Sequence, residues 1–204
     1  MTGWRGAFEE TLEGIQVAVD SPVYTITNTA ITSQNKETIV KTAEFLCGLG
    51  LDGIAMNGII YTGGARDERL GVSEKEMREI LKRVLDVTRR ANVRFIWYTP
   101  TRYCELNPVL LGLGPKQCTA SKYNMCVEPN GDVIPCQSSY KVAGNMLADD
   151  WESIWNNPVS LYFRDREYAP EECKECEFFP LCGASCPLSY ESRCILCFES
   201  KSSG

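Results

Sequence analysis

Ten of the eleven cysteines in this 204-residue chain lie beyond residue 100, and only Cys47 precedes them. The densest run is Cys173-x2-Cys176-x5-Cys182-x3-Cys186. Two thiolates separated by two residues can chelate one metal centre from a single turn, and the following pair brings further ligands from an adjoining loop. Upstream, Cys118-x12-Gly131-x4-Cys136 puts one thiol before a hairpin and one at its end, and Cys194-x2-Cys197 adds a last pair. The chain has no histidine, so any metal site must be built from thiolates, helped only by a carboxylate or an exogenous ligand. A reducing cytoplasm favours metal binding over a disulfide framework for such a cluster. Spacing alone leaves zinc and iron–sulfur centres both open, because four thiolates suit either. Cys47 reads as a small apolar residue packed in its helix, and Cys104 as a structural or free thiol.

The elements that must position these thiols divide at the same point as the cysteines do. Phe8, Leu12, Ile15 and Val19 recur at helical spacing and predict an amphipathic helix ended by Pro22. Val23–Ile31 has the β-branched content of a strand; a helix is expected from Ser33 to Cys47, closed by Gly48 and Gly50. Gly53–Ile60 reads as a second strand, Ser73 and Glu76 as the capping box of a helix reaching about Asn92, and Val93–Tyr98 as a third strand. Alternating strands and helices with these connections predict a parallel sheet, part of a (β/α) barrel. Three strands cannot close a barrel, so the chain reads as a fragment, a truncated reading frame, or a protein completed by a partner. After Leu106 the periodicity gives way to short elements. Pro129-Asn130-Gly131-Asp132 marks a hairpin turn, Asp149–Trp155 a short capped helix, and from Ala169 loops and turns carry the cysteines.

Composition narrows the function classes. A net charge of −6 leaves no basic stripe for a nucleic-acid backbone, and no apolar run is long enough to span a bilayer. The opening MTGWRGAFEETLEG lacks the features of a signal peptide, which makes the cytoplasm the expected location. Trp151 and Trp155 read as packing residues, and Asp149, Asp150 and Glu152 as a helix N-terminus favoured by the macrodipole.

With its local text, Val127-Glu-Pro-Asn-Gly-Asp-Val-Ile-Pro-Cys136 and Asp150-Trp-Glu-Ser-Ile-Trp155, the cysteine pattern resembles the SPASM domain of radical SAM enzymes over roughly residues 113–197. Residues 1–112 resemble the second half of the radical SAM barrel, especially around Gly6–Ile15. The resemblance implies an α/β fold: a partial (β/α) barrel of about three parallel strands at 1–112, then a cysteine-rich SPASM domain with a β-hairpin and short helices at 113–204. It implies two auxiliary [4Fe–4S] clusters. Cys118, Cys136 and Cys186 would hold the first, with Cys126 as a possible fourth ligand; Cys173, Cys176 and Cys182 with Cys194 or Cys197 would hold the second.

The Cys-x3-Cys-x2-Cys that defines a radical SAM enzyme is absent, since Cys182-x3-Cys186 is followed by Ser189 where a third cysteine is required. This chain alone is therefore not expected to form the radical, and S-adenosylmethionine is expected only if an N-terminal half completes the barrel. Asn28 and Thr29 on the first strand, Asn57 on the second and Tyr98 at the end of the third are the polar groups expected on its S-adenosylmethionine side. The auxiliary clusters would serve electron transfer or substrate ligation, on a peptide or small molecule, with a missing barrel half or an electron donor as partner. No acid, base or radical relay is assignable. The alternatives are a non-catalytic cluster-binding or electron-transfer module and a zinc-stabilised interaction domain.

Overall fold

The computed structural model describes residues 4–66 and 70–190, the side chain of Arg66 excepted. They form two compact units, one of residues 4–59 and 70–98 and the other of residues 60–66 and 99–190. No helix among the described residues is long and apolar enough to cross a membrane.

The first unit is a three-stranded parallel sheet, ordered β1 (Ile26–Ile31), β2 (Gly53–Gly58), β3 (Arg94–Trp97), with helices α1 (Ala7–Val19), α2 (Ile39–Cys47) and α3 (Glu74–Arg90) between or before the strands. Its register sets Thr29 beside Met56 and Met56 beside Trp97, so that Ile31, Ile54, Met56 and Trp97 share the buried face. Helix α3 buries Met77, Ile80, Leu81, Val84, Leu85, Val87 and Thr88, and it packs against α2, which buries Ile39, Val40, Ala43 and Leu46. Full burial of such aliphatic side chains contributes about 1.5–3 kcal/mol each, which makes this layer the main stabiliser of the unit.

The expected capping box is present. The Ser73 hydroxyl accepts from Glu76 N–H, and Glu76 returns a bond to Ser73 N–H; Lys36 Nζ then reaches the same carboxylate at 2.5 Å. The bonds from Lys36 and Ser73 hold the Glu76 carboxyl at about 2, well below its ordinary range. Two expectations change. Helix α2 starts at Ile39 rather than Ser33, because the Asn35 side chain accepts from Thr32 N–H at 2.8 Å and donates to Ala30 C=O at 2.8 Å, organising a turn instead. Helix α1 forms as expected but has no buried residue, and Phe8, 62% exposed, meets Phe45 with ring centroids 5.9 Å apart.

The second unit is built on an antiparallel sheet ordered β4 (Cys126–Val127), β5 (Asp132–Ile134), β6 (Gly144–Asn145). Pro129, Asn130 and Gly131 make the expected turn, in which Gly131 N–H donates to Glu128 C=O at 2.9 Å and Glu128 N–H to Asp132 C=O at 2.8 Å. Asn145 secures the turn from β6, its Nδ2 donating to Asn130 C=O and to Asp132 Oδ1, both at 3.0 Å. Val133, Ala143 and Ile154 form a small core, with Met125 and Val159 against it. Helix α4 (Trp151–Trp155) is capped by Asp150, as expected; α5 (Pro158–Arg164) was not anticipated, although Asn157 caps it and Pro158 opens it. Two one-turn helices follow, α6 (Glu171–Lys174) and α7 (Phe179–Cys182).

Gly131 has a φ of +89°, and a Cβ there would stand 2.8 Å from both Asn145 Oδ1 and Leu147 Cγ. Gly131→Ala is expected to destabilise this unit by about 1–3 kcal/mol through left-handed strain and crowding, measured as a shift in denaturation midpoint. Faster alkylation of Cys136, at the end of the hairpin, is the accompanying local readout.

Candidate metal centres

The fold collects the cysteines of the second unit into two groups. The first is Cys118, Cys136 and Cys186. Cys186 lies within electrostatic reach of both others, Cys118 within reach of Cys136, and Cys126 completes the neighbourhood beside Cys136. Cys126 pairs with Ile134 across the hairpin, two residues before Cys136, and its Sγ lies 3.9 Å from Gln137 Oε1. Residues more than 60 apart in sequence are thus brought together by one hairpin and one turn after α7.

Each of the three thiols in the first group is served by the backbone of its own turn. The Ala120 amide acts on Cys118, those of Ser138 and Ser139 on Cys136, and those of Leu188 and Ser189 on Cys186, in turns closed by Ser139 N–H to Cys136 C=O and Ser189 N–H to Cys186 C=O, both at 3.0 Å. These amides favour thiolate, while burial opposes it. Burial prevails in each case: it pushes Cys118 and Cys136 up, and with the repulsion of Cys118 it pushes Cys186 up to about 12. Such a set stays neutral until a cation arrives, and binding a metal then releases the protons.

Two further observations bear on what that cation could be. The hydroxyls of Ser121 and Ser139, in the turns that follow Cys118 and Cys136, are buried and have no hydrogen-bond partner. Arg166, only 8% exposed, donates Nη1–H to Phe179 C=O at 2.9 Å and Nη2–H to Gln117 Oε1, the residue before Cys118. Its positive charge favours the Cys118 thiolate. All-thiolate ligands, amide donors, spare hydroxyls and a buried cation suit an iron–sulfur cluster, whose ligands are cysteines and whose sulfurs accept hydrogen bonds. Tyr168, whose hydroxyl donates to Gly183 C=O at 2.9 Å, is driven well above the ordinary tyrosine range by burial and by the charges of Cys118 and Cys186.

The second group is Cys173, Cys176 and Cys182. Cys173 lies within the single turn of α6, Cys176 follows that helix, and Cys182 ends α7, where Gly183 takes a left-handed C-cap. These thiols line a cavity of about 180 Å³ together with Tyr103, Phe178 and Phe179. Cys182 is buried and accepts a bond from Tyr103 N–H at 3.4 Å. Cys194 and Cys197 lie outside the described residues. Among the described residues no three of Cys, Asp and Glu converge closely enough to hold a single metal ion. Cys47 is half-buried on α2, in the first unit.

The four residues expected on the S-adenosylmethionine side divide between the faces of the parallel sheet. Asn28, beside Ala55, and Asn57, beside Ala30, share one face, whereas Thr29 sits beside Met56 on the other. Asn57 Nδ2 donates to Gly58 C=O at 2.9 Å. Tyr98 follows Trp97 at the end of β3 and is 48% exposed, its N–H bonded to Met56 C=O at 3.0 Å. Sequence reading passed over Arg166, Tyr168, Ser121 and Ser139, because nothing in their spacing marks them; only the proximity of Ser121 and Ser139 to motif cysteines was a signal.

Residues 118–177 match the SPASM family, an iron–sulfur cluster-binding domain. The chain is 27% identical over 203 residues to an AdoMet-dependent heme synthase of Methanosarcina barkeri, covering 92% of this chain and 58% of that protein. It is 30% identical over 95 residues to a cysteine-type anaerobic sulfatase-maturating enzyme of Clostridium novyi, covering 43% of this chain and 25% of the relative. The fold is similar to that of SuiB from Streptococcus suis, solved bound to its precursor peptide SuiA, with a TM-score of 0.70 at 18% identity over 92% of this chain and 45% of SuiB. The chain thus spans 58% or less of the length of each of these proteins.

The raised position of Cys186 gives a pH dependence with a definite sign. The folded metal-free chain holds this proton more tightly than the unfolded chain does, so the associated stability is complete below about 9 and is lost as pH rises to about 12. Denaturant titrations across that window are expected to show falling stability, and Cys186→Ala is expected to remove that part of the slope.

Proposed function

We propose that this chain, whose residues 118–177 match the SPASM domain, is the C-terminal part of a radical SAM/SPASM enzyme that holds two auxiliary [4Fe–4S] clusters. The observation that carries the reading is the sorting of motif cysteines into two groups, Cys118, Cys136 and Cys186 in one and Cys173, Cys176 and Cys182 in the other. In this reading residues 1–112 supply three strands of a partial barrel, completed by a segment or partner that brings the Cys-x3-Cys-x2-Cys and S-adenosylmethionine.

When bound, the clusters supply one-electron chemistry or a ligation point for a peptide or small-molecule substrate. The chain's residues do the rest. Turn amides of Ala120, Ser138, Ser139, Leu188 and Ser189 orient the first thiols and favour their deprotonation. The orphaned hydroxyls of Ser121 and Ser139 donate to sulfur, and Arg166 offsets negative charge, so that together they raise the reduction potential. The fourth position of the first group falls to Cys126, which lies beside Cys136, or to an external ligand. On the sheet, Asn28 and Asn57 share the face that would look into the barrel, with Tyr98 at its rim, and Thr29 plays no part there. The cytoplasm, where such clusters survive reduced, is the proposed location.

Anaerobic reconstitution with ferrous iron and sulfide is expected to give about eight irons and eight sulfides per chain with the broad visible absorption of thiolate-bound clusters. Cys118→Ser or Cys186→Ser is expected to remove about four of each. Zinc bound in place of iron, with a colourless protein, would overturn the reading.

A further inference from the structure

Cys104 has so far been given no role. It lies outside every spacing motif, 69 residues before Cys173 in sequence, counted from residue 104 to residue 173. In the fold it lines the same cavity of about 180 Å³ as Cys173, Cys176 and Cys182. That volume is more than ten times the roughly 10–15 Å³ that admits one water, so the space takes a group of several atoms. Tyr103, Phe178, Phe179 and Ala184 give it largely apolar walls.

The segment that carries Cys104 is fixed from both sides. Thr101 Oγ1 donates to Leu106 C=O at 2.7 Å, and Glu105 and Leu106 N–H both bond to Arg102 C=O, at 2.9 and 2.8 Å, closing a tight turn around Cys104. The turn is tied to Cys182: Tyr103 N–H donates to its sulfur at 3.4 Å, and that thiol reaches Thr101 C=O at 3.6 Å. A third tie runs from Lys116 N–H to the Tyr103 hydroxyl at 2.9 Å. Charges on Cys104 and Cys182 both act on Cys173, and Arg102, at the same wall, is a cation beside the group.

We propose that Cys104 is the fourth thiolate of the second auxiliary cluster, completing Cys173, Cys176 and Cys182 from the turn that precedes the antiparallel sheet. The inference rests on the cluster reading above, and it removes the need for a ligand from Cys194 or Cys197. On loading, the Cys104 thiol releases its proton to solvent as its sulfur bonds to iron; no electron is transferred in that step. Arg102 lies on the cavity wall, its guanidinium held by the Glu105 carboxylate, so that the wall carries an ion pair beside the thiols.

The test compares the whole chain, Cys104→Ser, and the double variant Cys194→Ser/Cys197→Ser, each reconstituted anaerobically with ferrous iron and sulfide. Iron and sulfide content and the electron paramagnetic resonance of the reduced protein are measured, with circular dichroism reporting the fold. The expected result is that the double variant keeps the wild-type content and spectrum. Cys104→Ser, with its circular dichroism unchanged, is expected either to lose about half of the iron and sulfide or to show an altered signal for one of two clusters, as serine oxygen replaces sulfur. Wild-type content and spectrum in Cys104→Ser, whether or not the double variant loses a cluster, would overturn the assignment alone. A wild-type chain that takes up no iron would overturn the cluster reading beneath it. If Cys104→Ser fails to fold, Cys104→Asp decides the matter: a hard oxygen ligand at a true ligand position shifts the spectrum, and at a bystander position leaves it as in wild type.

Discussion

Thiols brought together in an apolar setting cannot ionise together. Desolvation opposes each thiolate, and every one that forms repels the next; only a multivalent cation reverses both effects. The second unit is organised around this constraint. Its own apolar core is small, centred on Val133, Ala143 and Ile154, and its helices are of seven residues or fewer. Leu106, Ile134, Phe163 and Leu188 add buried apolar surface, and three turns converge on sulfur: the Tyr103 turn on Cys182, the Ala120 turn on Cys118, and the Leu188 turn on Cys186. In a metal-bound state these same contacts convert from thiol to thiolate hydrogen bonds, which are charge-assisted and stronger. Folding and loading are then linked, and each favours the other.

The parallel sheet obeys a different logic. Its stability comes from aliphatic burial on one face, with α2 and α3 supplying Ile39, Val40, Leu46, Leu81 and Val84. The other face carries Asn28, Asn57 and Arg94, and among the described residues β1 and β3 each pair with β2 only. Ala55 on that face is buried as well, so the polar groups available for a ligand are those at its less buried positions, Asn28 and Asn57.

Much of this was legible in the sequence, because local rules act on neighbours. β-Branched and apolar runs found the three strands and a capping box found α3; Asn130-Gly131 found the hairpin; dense cysteine spacing found six of the thiols in the two groups. Misses arose where the deciding interaction was remote or where two local rules competed. The Asn35 side chain took backbone groups that a longer α2 would have used. Helix α5 is only seven residues long, too short for an apolar period to show, and Asn157-Pro158 is its one local signal. Cys104 could not be found by motif at all: its neighbours in space come from the far end of the unit, and no spacing rule encodes that separation.

Arg166 adopts a left-handed backbone at φ 61°, and its guanidinium carbon lies where a Cβ on Gly183 would come within 2.9 Å of it. The two positions therefore form a lock in which each accepts only what the other leaves room for. A larger residue at 183 would crowd the Arg166 guanidinium and strain the left-handed backbone, which disfavours the placement that sets the cation beside Cys118 and bonds it to Gln117. Across descendants of this sequence, residues 117, 166 and 183 should therefore change as a set, even where every cysteine is kept.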